Sequence, residues 1–367
     1  MISLNPIRKL LRKRSRAGTA KRLAERARKN SSGNVLTREE KEEAILFYRN
    51  AAGRTINTVY HNYLKDKSGA FYKEYIPEDL YYSDIDPYFN NTKEARFLDN
   101  KCYYDFLFAG LAMPKTYLKR MNGIWFDAEG RPAGPEETEA LLRGGAPMFI
   151  KAATNSYGGK GVYYIPGDDD AERSRLFREA VDKIKVDIVV QEALRQHPAL
   201  ARVNESSVNT IRALSLLRPD GSVKIYSIIL RMGIAGAKVD NASSGGITCG
   251  AGFDGRCTEA GYYSYVNSGK RLTEHPTSGL PFKDIVIPEM DKIIAFVSKA
   301  ALKIPHFRLV SWDIALREDG EPVLIEANFF DGEIDFHQLN NGPLFGEDTE
   351  AILREVYAGG KQEKAGR

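Results

Sequence analysis

Three polar residues interrupt two apolar, strand-length runs: Asp313 in Trp312-Asp313-Ile314-Ala315-Leu316, and Glu326 and Asn328 in Pro322-Val323-Leu324-Ile325-Glu326-Ala327-Asn328. A Glu-Asp-Gly-Glu turn at 318–321 joins the runs, as in a β-hairpin. Residues two apart on a strand share a face, so Glu326 and Asn328 point the same way, and a simple register sets Asp313 across from them. Two carboxylates about 4 Å apart repel by roughly 4 kcal/mol at an effective dielectric of about 20. A buried face keeps such a pair only with a cation or a partner. Oxygen-only donors suit Mg²⁺, which one or two carboxylates hold together with substrate phosphates. From the hairpin alone, an amphipathic ribbon with its acids in water is the competing reading.

Cationic residues recur upstream at strand ends. Lys151 closes one apolar run, and Gly158-Gly159-Lys160-Gly161-Val162 opens the next. Glycines let backbone N–H groups approach phosphate oxygens, and a lysine adds a point charge. The pattern is neither a Walker A loop nor a Gly-x-Gly-x-x-Gly turn, and alone it reads as a hairpin tip. Gln191-Glu192-Ala193-Leu194 follows a buried-looking strand and offers backbone groups to an adenine edge, with Gln191 as side-chain partner. Asn209-Thr210-Ile211-Arg212 and Arg231 place two guanidinium groups on adjacent strands, suited to bidentate anion recognition. Asp240-Asn241 and Ser244-Gly245-Gly246 form a polar loop that offers another anion contact.

The elements that must carry these residues are legible by periodicity. Thr37 and Glu40 form a capping box, opening a helix whose apolar side runs Ile45, Tyr48, Ala52, Ile56, Val59 and Tyr63, with Gly53 weakening it without ending it. An aromatic, Pro-broken segment follows from Tyr72 to Phe89, then a short helix from Asn100 to Gly110 and an extended Met113 to Tyr117. Strands are expected at 148–151, 162–165, 188–191, 210–214 and 224–229, and amphipathic helices at 170–185 and 284–303, the latter with Ile293, Ile294, Phe296 and Val297 inward. Helices combined with antiparallel hairpins predict an α+β fold.

At 367 residues, with 43% hydrophobic and 28% charged residues, the chain holds about two domains of ordinary soluble composition. Its apolar runs are strand-length, so no membrane-spanning helix is expected. Met1 leads into a basic stretch without a long apolar core, which argues against a secretory signal. Cys102, Cys249 and Cys257 have no metal-ligand spacing, and reduced thiols in the cytoplasm are the simplest expectation. The net charge of +4 is uneven: from Arg8 to Lys29 there are eleven Lys and Arg against the single acid Glu25. Such an arm reads first as a solvated, partly helical segment, with a peripheral contact to a membrane surface or an acidic partner as the alternative. Nothing downstream interleaves basic and aromatic residues as nucleic-acid readers do, so no nucleic-acid partner is expected.

Taken in order, these segments resemble the ATP-grasp superfamily, and most closely its sugar-transfer-associated branch, related to the glutamate-adding carboxylate–amine ligases. The matching residues are Phe149-Ile150-Lys151, Gly158-Gly159-Lys160-Gly161-Val162, Val190-Gln191-Glu192-Ala193-Leu194, Asn209-Thr210-Ile211-Arg212, Arg231, Asp240-Asn241, Gly245-Gly246, Asp313 and Glu326-Ala327-Asn328, across about residues 80 to 345. The resemblance implies two α+β subdomains gripping ATP between them, preceded by a helical region. The expected division is a basic arm (1–35), a mainly helical region (36–100), a small subdomain with the phosphate loop (101–190), a C-terminal subdomain with metal and substrate site (191–358), and a tail (359–367). It further implies that Lys101 and Lys151 contact phosphates, that the Gly158–Gly161 loop with Lys160 closes over the triphosphate, and that Gln191 with the backbone of Glu192, Ala193 and Leu194 holds adenine. Asp313, Glu326 and Asn328 would bind Mg²⁺. Arg231 and Asn241, with Arg212 nearby, would meet the γ-phosphate and an acylphosphate.

The implied reaction is ATP-dependent joining of a small-molecule carboxylate to an amine, both of them sugar-linked candidates, in polysaccharide or glycoconjugate synthesis. A kinase acting on a hydroxyl and a non-catalytic nucleotide-binding scaffold are the alternatives. Two departures stand out. The glutamate-adding ligases follow the asparagine with small residues and Pro-Gly, whereas this chain has Phe329-Phe330-Asp331-Gly332, where substrate choice is therefore expected. The N-terminal third is helical and short, unlike the α/β domain that precedes many ATP-grasp cores. The five histidines lack metal spacing and are expected to be structural, with His337 and Gln338 the candidates to line an acceptor pocket.

Overall fold

The computed structural model describes residues 5–91, 95, 98–143, 145–154, 161–167, 169–234, 236, 246–263, 269–330 and 332–365. The N-terminal region is helical: α1 (Asn5–Asn30), α2 (Arg38–Ala52) and α3 (Val59–Ser68), then short helical turns from Glu78 to Phe89 with a π-turn at Tyr81–Ile85. Thr37 caps α2 with the reciprocal Glu40 contact expected of a capping box. Gly53 does end this helix, against the sequence reading. It sits in the left-handed region (φ 64°), and its N–H turns back to the carbonyls of Arg49 and Tyr48. Of the apolar positions beyond it, Val59 and Tyr63 therefore belong to a second helix, and Ile56 lies in the connection between the two.

Two antiparallel sheets follow. The smaller has the order β2-β1-β5-β3-β4, from β1 (Thr116–Met121), β2 (Ile124–Asp127), β3 (Met148–Ala152), β4 (Val162–Ile165) and β5 (Ile188–Glu192). Helices α4 (Pro135–Leu142) and α5 (Asp170–Lys183) pack on it, closing a core that contains Ile150, Val190, Leu142 and Phe177. The larger sheet runs β10-β9-β8-β7-β6-β11-β12, from β6 (Thr210–Leu217), β7 (Val223–Met232), β8 (Ile247–Ala251), β9 (Cys257–Tyr263), β10 (Arg271–Leu272), β11 (Leu309–Leu316) and β12 (Pro322–Asn328).

Every residue of β6 and β11 is buried, because the larger sheet is covered on both faces. Helix α6 (Met290–Lys303) packs Ile293, Phe296 and Val297 onto one face, with Trp312 and Ile314 beneath. Fully burying each such side chain contributes roughly 1.5–3 kcal/mol. The opposite face meets the N-terminal helices and α8 (Thr349–Ala365) through Leu214, Leu216, Tyr48 and Leu353. Helix α8 thus runs over most of the stretch read as a tail. Between them, α7 (Asp335–Asn341) packs against β7, β8 and β9. Among the described residues no helix is long and apolar enough to cross a membrane.

Candidate functional site

Strands β11 and β12 pair in the register read from the sequence: Asp313 faces Glu326, and Ser311 faces Asn328, with a bulge just after Asp313. Alternation sends Trp312 and Ile314 into the core under α6 and turns Asp313 to the other side. Asp313 is buried, and its charge is met by two guanidinium groups. Arg212, directly across on β6, donates from Nε to Oδ1 and from Nη2 to Oδ2, both at 2.6 Å. Arg231 on β7 donates to Oδ2 at 2.8 Å. Burial alone would push the Asp313 carboxyl up; the two arginines outweigh it and hold the group at about 2.

Glu326 has its own cation, Lys101, whose Nζ lies 2.7 Å from Oε1. Lys101 opens a 3₁₀ turn, Lys101–Tyr103, that Asn100 caps by accepting the Cys102 N–H, while the Lys101 N–H is held by the Ala153 carbonyl. The turn is thereby tied to the smaller sheet and its lysine to the larger. Lys151 on β3 donates to Gln191 Oε1 at 3.2 Å. Burial lowers the Lys151 ammonium from 10.5 to about 8, with Lys101 adding to the fall and Glu326 opposing it. Asp99, which the sequence offered no reason to single out, is pushed up to about 6 by burial, with Lys101 opposing and Glu326 reinforcing. Tyr104 was also missed: its hydroxyl lies 3.3 Å from both the N–H and the carbonyl of Ala327, the peptide between Glu326 and Asn328.

Asn328 donates its amide to the Ser311 carbonyl at 3.0 Å, which leaves Oδ1 as its outward donor atom. Two carboxylates and an amide oxygen form an oxygen-only set, the chemistry that fits Mg²⁺ shared with phosphates. Both carboxylates already hold cations, so a metal would enter by exchange, with arginine and lysine moving to phosphate oxygens.

A cavity of about 880 Å³ opens between the two sheets, walled by Tyr117, Phe149 and Tyr164 on one side and by Ser207, Arg317 and Glu318 on the other. Glu192, Ala193 and Leu194 line it. The N–H groups of Glu192 and Ala193 are committed to the carbonyls of Lys115 and Pro147, so an adenine edge here has the carbonyls and the Leu194 N–H to use. The Gln191 side chain faces Lys151 and Thr116. Arg317, another residue the sequence did not flag, donates to Glu192 Oε1 at 3.0 Å and joins the two sheets across the cavity. Gly161 has φ 73°, and a Cβ there would stand 2.8 Å from that of Ala152. Gly158, Gly159, Lys160, Asp240, Asn241, Ser244 and Gly245 lie outside the described residues.

The residues after Asn328 behave differently from the expectation. Phe329 is fully buried in the core, its ring 5.0 Å from that of Phe307, and Phe330 packs against the same cluster. Phe329 is therefore packing and does not face a substrate. Gln338 is also committed, pairing both ends of its amide with the backbone of Ile76 at 2.7 and 3.0 Å. His337 is not. Its Nδ1 lies 2.7 Å from Ser227 Oγ, its Nε2 is buried without a hydrogen-bond partner, and burial lowers the ring to about 3, helped by Arg212 and Arg231.

The residues brought together are thus Lys101, Lys151, Arg212 and Arg231 around Asp313 and Glu326, beside an aromatic-walled cavity. This arrangement can hold a polyanion and its counter-cation. The family model described as sugar-transfer-associated ATP-grasp matches residues 82–353. No curated protein sequence matches the chain. Among solved structures, biotin carboxylase from Campylobacter jejuni is similar at 12% identity and a TM-score of 0.45, over 71% of this chain and 46% of that one. The biotin carboxylase domain of 2-oxoglutarate carboxylase from Hydrogenobacter thermophilus, in complex with magnesium ADP and bicarbonate, is similar at 15% identity and 0.41, over 71% and 45%. D-alanine–D-alanine ligase from Bacillus anthracis is similar at 12% identity and 0.40, over 72% and 69%. The chain spans about half the length of the two carboxylase chains. With the family match extending over most of its length, this α+β chain belongs to the sugar-transfer-associated ATP-grasp family.

Proposed function

We propose that the protein is an ADP-forming carboxylate–amine ligase. A substrate carboxylate attacks the γ-phosphorus of ATP, giving an acylphosphate and ADP; an amine then attacks the acyl carbon and expels phosphate, losing a proton. The observation that carries this reading is the convergence of Lys101, Arg212 and Arg231 on two carboxylates, with buried Lys151 alongside, beside the aromatic-walled cavity. Catalysis of this kind rests on positioning and charge stabilisation.

Lys101 and Lys151 would hold the phosphate chain, and Arg212 and Arg231 the transferred phosphoryl group. Asp313, Glu326 and Asn328 would hold Mg²⁺, which when bound neutralises phosphate charge. The aromatic wall and the Glu192–Leu194 backbone would take the base. The family's description supports substrates drawn from glycan assembly. The basic helix α1 would bring the enzyme to an anionic membrane surface.

Product analysis tests the chemistry. With ATP and Mg²⁺, a ligase releases ADP and phosphate only when carboxylate and amine are both present, and hydroxylamine intercepts its acylphosphate as a hydroxamate. ADP with a phosphorylated hydroxyl compound would establish a kinase instead, and no turnover across paired acids and amines, uronic acids included, would leave a scaffold.

A further inference from the structure

The edge of the larger sheet at β12 is covered by a strap, residues 100–112, that touches both sheets. Lys101 Nζ lies 2.7 Å from Glu326 Oε1, the Tyr104 hydroxyl lies 3.3 Å from both the N–H and the carbonyl of Ala327, and the Ala112 carbonyl accepts the Leu324 N–H at 3.0 Å. Such cover satisfies groups that an edge strand leaves unpaired. The other side of the strap is fastened to the smaller sheet. Asn100 donates to Asp187 Oδ2 at 2.9 Å, the Lys101 N–H donates to the Ala153 carbonyl at 2.9 Å, and Asp105 pairs with Lys119 of β1. The lysine is therefore carried by one sheet while its ammonium rests on a carboxylate of the other.

The two acids are not held equally. The Asp313 side chain is 4% exposed and accepts three bonds from two arginines, whereas the Glu326 side chain is 29% exposed and pairs with one lysine among the described residues. A bidentate guanidinium in a buried setting grips more firmly than a point-charge ammonium within reach of water. Cation exchange therefore starts at Glu326. Lys151 lies close enough to Lys101 for that charge to lower its own ammonium, so the two lysines repel each other. A polyphosphate beside them relieves that repulsion and competes with Glu326 for the Lys101 ammonium.

We propose that Lys101 is a built-in competitor of the divalent cation at Glu326, and that a polyphosphate admits the cation by drawing the ammonium away. This rests on the assignment of Glu326 to the metal and of Lys101 to the phosphates made above. Lys101 then has two tasks that exclude each other: it neutralises the carboxylate, or it holds phosphate and leaves the carboxylate to the cation. Nucleotide and cation consequently bind with positive coupling, each raising the affinity of the other by the same factor. Lys101 is the residue through which that coupling passes, because its side chain meets the metal strand and its backbone the smaller sheet.

The test is binding to the full chain, with Mn²⁺ as the probe cation followed by the paramagnetic resonance of the free ion, and ADP followed by calorimetry in the presence of a chelator. Lys101→Met and Lys101→Gln are each expected to bind Mn²⁺ alone about tenfold tighter than the parent and ADP alone about tenfold more weakly, within the usual span of such couplings. Lys101→Arg, which keeps a cation on Glu326, is expected to bind Mn²⁺ alone as the parent does. Effects of opposite sign separate this role from a structural one, since a damaged fold weakens both ligands; circular dichroism melts verify that the variants are folded. Mn²⁺ affinity unchanged or lowered in both neutral variants overturns the proposal, and so does a gain that survives in Lys101→Met combined with Glu326→Gln. Glu326→Gln alone, measured with Mn²⁺ and ADP together, reports on the metal assignment: undiminished Mn²⁺ binding there overturns that assignment and this proposal with it. None of these measurements needs a carboxylate, an amine or turnover, so the ligase chemistry stands or falls separately on its products.

Discussion

At the scale of single residues, the unusual feature is that the proposed metal acids are already charge-compensated. Asp313 accepts three bonds from two arginines at 4% side-chain exposure, and removing one member of such a buried group leaves charge without a counter-charge. Asp313→Asn is therefore expected to cost about 3–5 kcal/mol, read from the urea midpoint. A variant as stable as the parent would show that water, and not the carboxylate, solvates the arginines. Lys151 makes the opposite statement. Its folded value of about 8 lies below the ordinary 10.5, so between those limits the unfolded chain holds a proton the folded one has released. Stability contributed through this group accordingly rises with pH across that window. A polyphosphate beside Lys151 favours the ammonium, so ATP binding is expected to take up a proton and to weaken as pH climbs past about 8. Calorimetry in two buffers of different ionisation heat measures that uptake; equal apparent enthalpies at pH 9 would remove Lys151 from the phosphate site.

Elements position these residues, and their legibility in the sequence varied for physical reasons. The hairpin register that sets Asp313 against Glu326 was readable because polar residues stand out in apolar runs, and β3, β4 and β5 because their flanks are polar. Strands β8 and β9 were not readable. Ile247-Thr248-Cys249-Gly250-Ala251 and Cys257-Thr258-Glu259-Ala260-Gly261-Tyr262-Tyr263 carry small residues because α7 and the Phe282 turn press close upon them. A glycine in such a strand marks close approach by another segment, a contact between distant parts of the chain that local pattern does not reveal. Pairings such as Arg231 with Asp313, or Arg317 with Glu192, are likewise invisible before the sheets are assembled. Gly250 shows the cost of ignoring that closeness. A Cβ there would stand 2.2 Å from Asn341 Oδ1 and 3.0 Å from the Asn340 carbonyl. Gly250→Ala is expected to push α7 off the sheet and lower stability by about 1–3 kcal/mol, the usual penalty of overpacking. An unchanged melting curve would mean that α7 yields without cost.

Across the whole molecule, the basic N-terminal helix is joined to the α7 region instead of hanging free. Arg26 of α1 pairs with buried Glu78 at 2.9 Å, and Ala24 and Ala27 pack against Tyr60 and Tyr63. Arg26 also offsets the acids around Asp335, the first residue of α7, whose carboxyl burial pushes well above its ordinary range, with Glu78 and Glu333 adding to the rise. The C-terminal end of the helix that carries the basic run is thus fixed to the body of the protein. Each Lys or Arg near an anionic leaflet contributes about 1 kcal/mol, and the attraction is screened within a Debye length that shrinks from about 10 Å at 0.1 M salt to about 3 Å at 1 M. Hence the full chain is expected to sediment with vesicles containing phosphatidylserine at low salt, to leave them as salt rises, and to ignore vesicles of phosphatidylcholine alone. Replacing Arg8, Lys9, Arg12 and Lys13 by glutamate should abolish sedimentation while the described ion pair of Arg26 keeps the rest of the fold intact. Sedimentation unaffected by those four changes would place the charge-sensing surface elsewhere; none at low salt would deny the helix a membrane role.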